Sequence, residues 1–133
     1  MYDNSANRYY FKIPNVDTLY FVDCSIETDE YTIRKTDKKE RLIGYNCSSI
    51  ELTGGGRKHT IFYAPQLYLN PKHLSRSVYH GNNLVAAESE SVYLKWITEE
   101  ESVTSIMSAF KVESKRIDNN TFLLPVLPAK QVN

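Results

Sequence analysis

Residues 92–110 read Val92-Tyr-Leu-Lys-Trp-Ile-Thr-Glu-Glu-Glu-Ser-Val-Thr-Ser-Ile-Met-Ser-Ala-Phe110, and two periodicities meet inside them. Up to Trp96 the apolar residues alternate. Val92, Leu94 and Trp96 share one face at the period of two expected of a strand that rests on a core. From Thr98 the pattern changes. Thr98-Glu99-Glu100-Glu101 has the form of a capping box, with the Thr98 hydroxyl facing the third helical amide and Glu101 reaching back. Three carboxylates there also suit the positive end of a helix dipole. Val103, Ile106, Met107 and Phe110 then follow at helical spacing, and Lys111, Lys115 and Arg116 gather where a helix C-terminus favours cations. The stretch predicts a last strand at 91–97 leading into one amphipathic helix at about 99–116.

The chain before it reads as strands. Ten tyrosines and five phenylalanines lie mainly in short runs that suit pleated structure, at about 8–13, 18–26, 30–36, 41–46, 48–52 and 58–64. Turn chemistry separates them at Pro14-Asn15, at Thr28-Asp29 and at Gly54-Gly55-Gly56. Residues 65–90 form a long connection containing Pro65, Pro71, Gly81 and Asn82-Asn83, with a short helix near 71–79. Residues 118–133, with Pro125 and Pro128, are expected to form an extended C-terminal tail in which Phe122, Leu123, Leu124 and Leu127 dock on the body.

A chain of 133 residues, 41% of them apolar, is long enough for one compact domain with its own core. No apolar run approaches the about 20 residues of a spanning helix. Met1 to Ser5 lack the cationic and apolar segments of a signal peptide, so the expectation is a cytoplasmic protein in which Cys24 and Cys47 are buried thiols rather than a bridge. Its two glycosylation sequons, at Asn46 and Asn119, would then carry nothing. A net charge of zero argues against a general nucleic-acid binder. The zero conceals an asymmetry: residues 1–33 carry a net −4, residues 34–76 a net +6 and residues 77–133 a net −2.

Three stretches give the chain a family likeness. Arg8-Tyr-Tyr-Phe-Lys-Ile13 with Thr18-Leu-Tyr-Phe-Val22, then Leu42-Ile-Gly-Tyr-Asn-Cys-Ser-Ser-Ile-Glu-Leu52 with His59-Thr-Ile-Phe62, then Val92 to Glu101 resemble the successive strands and helix start of the pleckstrin-homology (PH) superfold, which includes the phosphotyrosine-binding domains. The resemblance implies a mostly β (α+β) fold, a seven-stranded antiparallel sandwich capped by the C-terminal helix. It places a single domain at 1–117 with a long insertion at 65–90. The sequence departs from the family in two places. Ile106 or Met107 stands where the helix usually carries tryptophan, and the turn Pro14 to Thr18 is short and acidic where lipid-binding members are basic.

The densest chemistry is Arg34-Lys-Thr-Asp-Lys-Lys-Glu-Arg41, five cations and two acids within eight residues. On a loop between the third and fourth strands, Arg34, Lys35, Lys38, Lys39 and Arg41 would bind phosphate oxygens as charge-assisted partners, with Lys72, Arg76, His73 and His80 of the long connection facing the same way. The alternative is a solvated segment whose charges keep a sheet edge from pairing. Other motifs are incomplete. Gly54-Gly55-Gly56-Arg57-Lys58 lacks the ending of a phosphate loop. His73-Leu-Ser75 is half of a paired phosphodiesterase motif, and the histidines have no companion ligands at metal spacing. No serine has a base and acid in a recognised order, and Glu99, Glu100 and Glu101 are accounted for by a helix start.

The functional expectation is a non-catalytic binding or adaptor module that holds a protein partner within a larger assembly, with neither cofactor nor metal. Anionic phospholipid headgroups, bound by the 34–41 segment at the membrane periphery, are the alternative ligand. A small phosphodiesterase ranks third.

Overall fold

The computed structural model describes residues 1–26 and 29–133, apart from the side chains of Asn119 and Phe122. Thr28 of the turn expected at Thr28-Asp29 lies outside the described residues. Among the described residues nine strands form two sheets, with one short α-helix. The first sheet contains β1 (Tyr2–Asp3), β2 (Arg8–Lys12), β3 (Leu19–Asp23) and β9 (Ala129–Gln131), in that order, with β9 parallel to β3. The second is a five-stranded antiparallel meander of β4 (Tyr31–Leu42), β5 (Tyr45–Gly54), β6 (Arg57–Tyr68), β7 (Ser91–Glu100) and β8 (Val103–Ser108). Helix α1 (Asn82–Ser89) lies in the connection between β6 and β7. Among the described residues no helix is long and apolar enough to cross a membrane.

The mostly β class agrees with the sequence reading; the seven strands and the C-terminal helix do not. Residues 99–116 contain no helix. Glu99 and Glu100 finish β7, Glu101 turns the chain at φ 42°, and β8 returns antiparallel with Ile106 opposite Ile97 and Met107 opposite Trp96. The physical reason is that the segment Val103–Ser108 finds no core for its helically spaced apolar residues, all six being exposed, and pairs with β7 instead. Its β-branched Val103, Thr104 and Ile106 also fit a pleated ribbon better than a helix. A capping box contributes about 1 kcal/mol, less than a complete strand ladder.

A second correction concerns β7. Its pairing with β6 slips between Phe62 opposite Lys95 and Tyr63 opposite Tyr93, and this bulge sends Leu94 and Trp96 to opposite faces. Leu94 packs with Cys47, Phe62 and Ala64, whereas Trp96 packs against the cluster of Ile50, Leu52, Ile61, Tyr63 and Val85 under α1. The runs 41–46 and 48–52 are likewise not two strands. The chain turns at Ile43-Gly44, both with positive φ (41° and 89°), and β5 runs unbroken to Gly54. Gly55-Gly56 make the next two-residue hairpin, again with both φ positive, so the glycine triplet serves a tight turn of the primed type.

The long connection places its helix at 82–89, later than the 71–79 expected, where only a 3₁₀ turn at 71–73 forms. The tail is better ordered than its prolines suggested. Leu124 and Leu127 pack on Tyr10, Leu19 and Phe21, and the Leu19 amide donates to the Pro128 carbonyl at 2.9 Å. Leu123 remains 71% exposed. The first sheet is tied to the 65–90 connection by Asn7 Nδ2 donating to the Arg76 carbonyl at 2.8 Å and by the Val78 amide donating to the Cys24 carbonyl at 3.0 Å. Cys24 and Cys47 are buried free thiols.

Candidate binding cleft and edge strand

These ties bring residues from five segments around one cleft of about 380 Å³. Tyr2 and Tyr9 come from the first sheet, Ser77, Tyr79 and His80 from the connection, Tyr93 and Trp96 from β7, and Met107 from β8. Among the described residues no Asp, Glu, Lys or Arg lines it. Tyr93 and Trp96 meet edge to face at 5.2 Å between centroids, and Tyr79 lies 4.0 Å from the His80 ring. His80 has a left-handed backbone (φ 51°, ψ 32°) and is followed by Gly81 at φ 67°. A side chain on Gly81 would meet Leu52 and the Tyr31 ring at 3.2 Å, so glycine lets the chain pass close over the core here.

Behind the cleft the hydrogen-bond chemistry fixes protons. The Trp96 indole N–H, which can only donate, points at His59 Nδ1 at 3.1 Å. Nδ1 therefore accepts, the imidazole proton sits on Nε2, and the Thr98 hydroxyl 2.9 Å away also donates to Nδ1. His80 Nδ1 lies 3.1 Å from the Tyr31 hydroxyl. Burial holds both histidines below their ordinary value near 6.5, and the Arg57 charge adds to the effect. Two neutral imidazoles among uncharged rings make this a place for an apolar or aromatic group. It is poorly suited to a phosphate or a carboxylate.

Beside the cleft runs β8, the outer strand of the second sheet. All six of its residues are exposed, and Val103, Ile106 and Met107 are 65%, 60% and 62% accessible. The strand carries no charge, no proline and no glycine. The Ala109 amide donates to the Leu94 carbonyl at 2.7 Å, so Ala109 turns its backbone towards β7. Strand alternation then sends the backbone groups of Thr104, Ile106 and Ser108 outward. Unpaired amides and carbonyls flanked by exposed apolar side chains form a template for another strand.

The 34–41 cations lie elsewhere. All of that segment is strand β4, not loop, and it forms the opposite edge of the same sheet. Pairing register sets Arg34 and Lys35 on opposite faces. Arg34 Nη2 holds the buried Glu51 carboxylate at 2.7 Å, while Lys35 Nζ reaches Glu88 on α1 at 3.2 Å. Lys38, Lys39 and Arg41 are exposed at and beyond the register break between Thr36 and Glu40. Lys39 and Arg41 border a shallow recess of about 370 Å³ with Glu40 between them. Lys72 stands on the 3₁₀ turn, and Arg76 Nη1 donates to the Asn4 and Ser5 carbonyls at 3.4 Å. The seven cations form no single pocket. His73 is exposed and lines no described cavity, and among the described residues no group of three or more His, Cys, Asp or Glu gathers as a metal site.

The cleft was missed because its residues are scattered between positions 2 and 107. The signal present was the surplus of tyrosine, which has no local periodicity to assign it to a site. No protein-family model, curated protein or solved structure matches this chain.

Proposed function

We propose that the chain is a non-catalytic binding module whose partner is a protein, an extended segment of which pairs with β8 and sets an apolar side chain into the cleft beside Met107. One observation carries the reading: β8 is an edge strand without charge, proline or glycine, with Val103, Ile106 and Met107 each at least 60% exposed. Edge strands usually carry a device against pairing, and strand addition is a common mode of peptide recognition. The cleft supplies what that mode needs for specificity, a pocket for alternate side chains lined by aromatic groups enriched at interfaces. Binding is favoured over catalysis because the ring nitrogens that the hydrogen bonds identify are engaged by Trp96, Thr98 and Tyr31. The anionic-lipid alternative has less support, since Arg34 and Lys35 are spent on ion pairs on opposite faces of β4.

A random-peptide library panned against the protein tests this. Enriched peptides should be apolar and extended. They should protect the outward amides of Thr104, Ile106 and Ser108 from hydrogen exchange and quench or shift the emission of Trp96, the one tryptophan. They should bind Thr104→Pro at least about tenfold more weakly, because proline removes an outward donor. Peptides that bind Thr104→Pro as well as the wild type, or a library that yields no binder to a wild type that is monomeric, would overturn the reading.

A further inference from the structure

We infer that the strand β8 receives is β8 of a second copy of this chain, lying antiparallel to it, so that two five-stranded sheets become one. The inference rests on the reading of β8 as a pairing edge and names the partner. Two independent features of the strand support it.

The first is register. Directly opposed residues of an antiparallel pair either both turn their backbone groups towards each other or both turn them away. The outward set is Thr104, Ile106 and Ser108. One register pairs all three members of that set with all three of a second copy: Ile106 opposite Ile106 on the twofold axis, and Thr104 opposite Ser108 on either side. It gives up to about six inter-copy N–H···O bonds. Shifted symmetric registers leave at least one outward residue facing the turn or the tail. A closed twofold contact also consumes the edge in both copies, so it ends as a dimer rather than a fibre.

The second is charge. The strand itself is neutral, but the segments at its ends are opposite in sign. Glu99, Glu100 and Glu101 precede it, and Lys111, Lys115 and Arg116 follow it. Glu99 and Glu100 are engaged by Lys58 and Arg57, and Lys111 has an exposed contact to Glu113 at 2.6 Å. Glu101 has no ion-pair partner among the described residues. In the register that Ile106 centres, the turn that carries Glu101 of each copy lies at the same end of the contact as the segment that carries Lys111 of the other. A parallel partner copy would set acidic end on acidic end and basic on basic. Only the antiparallel pair is complementary, and it is so twice.

Sedimentation equilibrium of the whole chain from micromolar to millimolar concentration tests the inference at low and physiological salt. The wild type should approach a dimer. Glu101→Lys and Lys111→Glu should each weaken dimerisation about tenfold, and the variant with both reversals should recover it, because exchanged signs are again complementary. Thr104→Pro, which removes an outward amide that β7 does not use, should be monomeric with an unchanged circular dichroism spectrum. A wild type that stays monomeric at every concentration overturns self-pairing. The peptide-library experiment then decides separately whether β8 takes a foreign strand. A dimer indifferent to the charge reversals and to Thr104→Pro also overturns the inference, by placing the contact on another surface.

Discussion

The five-stranded sheet ends in two edge strands of contrasting chemistry. Edge β4 carries five of the chain's sixteen cations in Arg34–Arg41 and is broken by a register shift between Thr36 and Glu40. Edge β8 is uncharged, has unbroken register with β7 and exposes Val103, Ile106 and Met107. Both belong to one meander and are fixed by the same kind of ladder, so the difference is not one of fold. Charges and a bulge are the means by which an edge is kept from pairing. Their presence on one side and absence on the other leaves β8 as the edge without a device against pairing.

The contrast is broken most severely from the middle. Ile61 of β6 is fully buried beneath α1 with Ile50 and Leu52, equidistant in strand order from both edges. Ile61→Ala should cost about 3 kcal/mol, from lost transfer energy and the cavity left behind. Urea denaturation should show one cooperative transition moved to lower concentration. If the edges belonged to separately stable units, the loss would be confined to part of the signal.

The next effect is local to the β4 side. Glu51 lies buried between Arg34 at 2.7 Å and Lys58 at 3.3 Å, and these cations hold its carboxyl below the ordinary range. Arg34→Ala leaves Lys58 to neutralise it. Because the Arg34 side chain is 70% exposed, solvent screens much of the pair, and the loss should be about 1 kcal/mol in the same urea assay. An unchanged midpoint would mean that the charges of β4 serve only the solvent.

This much of the architecture was legible in advance and for stated reasons. Hairpin turns at Gly54-Gly55-Gly56 and the aromatic runs of β2, β3 and β6 gave the mostly β class, because turn chemistry and pleated propensity agreed there. Residues 98–110 misled because their apolar residues fall at helical spacing while the β-branched residues among them favour a strand. A capping box is a local signal, whereas Ile97 opposite Ile106 is a contact that exists only once β7 is in place. The bulge at Leu94 was equally invisible, since alternation counted along one strand cannot register a slip against its neighbour. The basic segment was found, but its role depended on strand partners. Glu51 and Glu88, which take up Arg34 and Lys35, lie on β5 and α1. The cleft draws on residues from Tyr2 to Met107, more than a hundred positions apart, which only the folded chain brings around one space.

Acid should separate the edges without mutation. His59 and His80 are neutral in the folded chain because burial, aided by Arg57, lowers their affinity for protons relative to the unfolded chain's value near 6.5. The unfolded chain then binds more protons below neutrality. The contribution is complete above about pH 6.5 and is lost as pH falls towards the lowered folded values. Protonating His59 also removes the acceptor of the Trp96 indole, next to β8. Glu51, by contrast, stays ionised through the same interval. Between pH 7 and 5 the amides of β7 and β8 should lose exchange protection with a shift of Trp96 emission, through His59. On the β4 side the effect should be confined to Tyr31, which His80 meets at 3.1 Å. Simultaneous loss at both edges would show that the histidines act on the whole domain.

The smallest effect on stability, and the most direct exchange of the two edges, comes from trading their surfaces. Ile106→Lys places a charge on β8, and the triple variant Lys38→Thr, Lys39→Thr, Arg41→Thr removes three from β4. All four side chains are exposed, so each variant should unfold within about 0.5 kcal/mol of the wild type. Association should nevertheless move in opposite directions. With lysine on the twofold axis, β8 would bring two like charges together in a low-dielectric contact and should lose its partner. With threonine in place of its cations, β4 keeps its bulge but loses its repulsion, and light scattering should show new self-association at that edge. If the triple variant stays as dispersed as the wild type, the break between Thr36 and Glu40 is itself the barrier at β4. The absence of any such break would then be what leaves β8 open, more than its lack of charge.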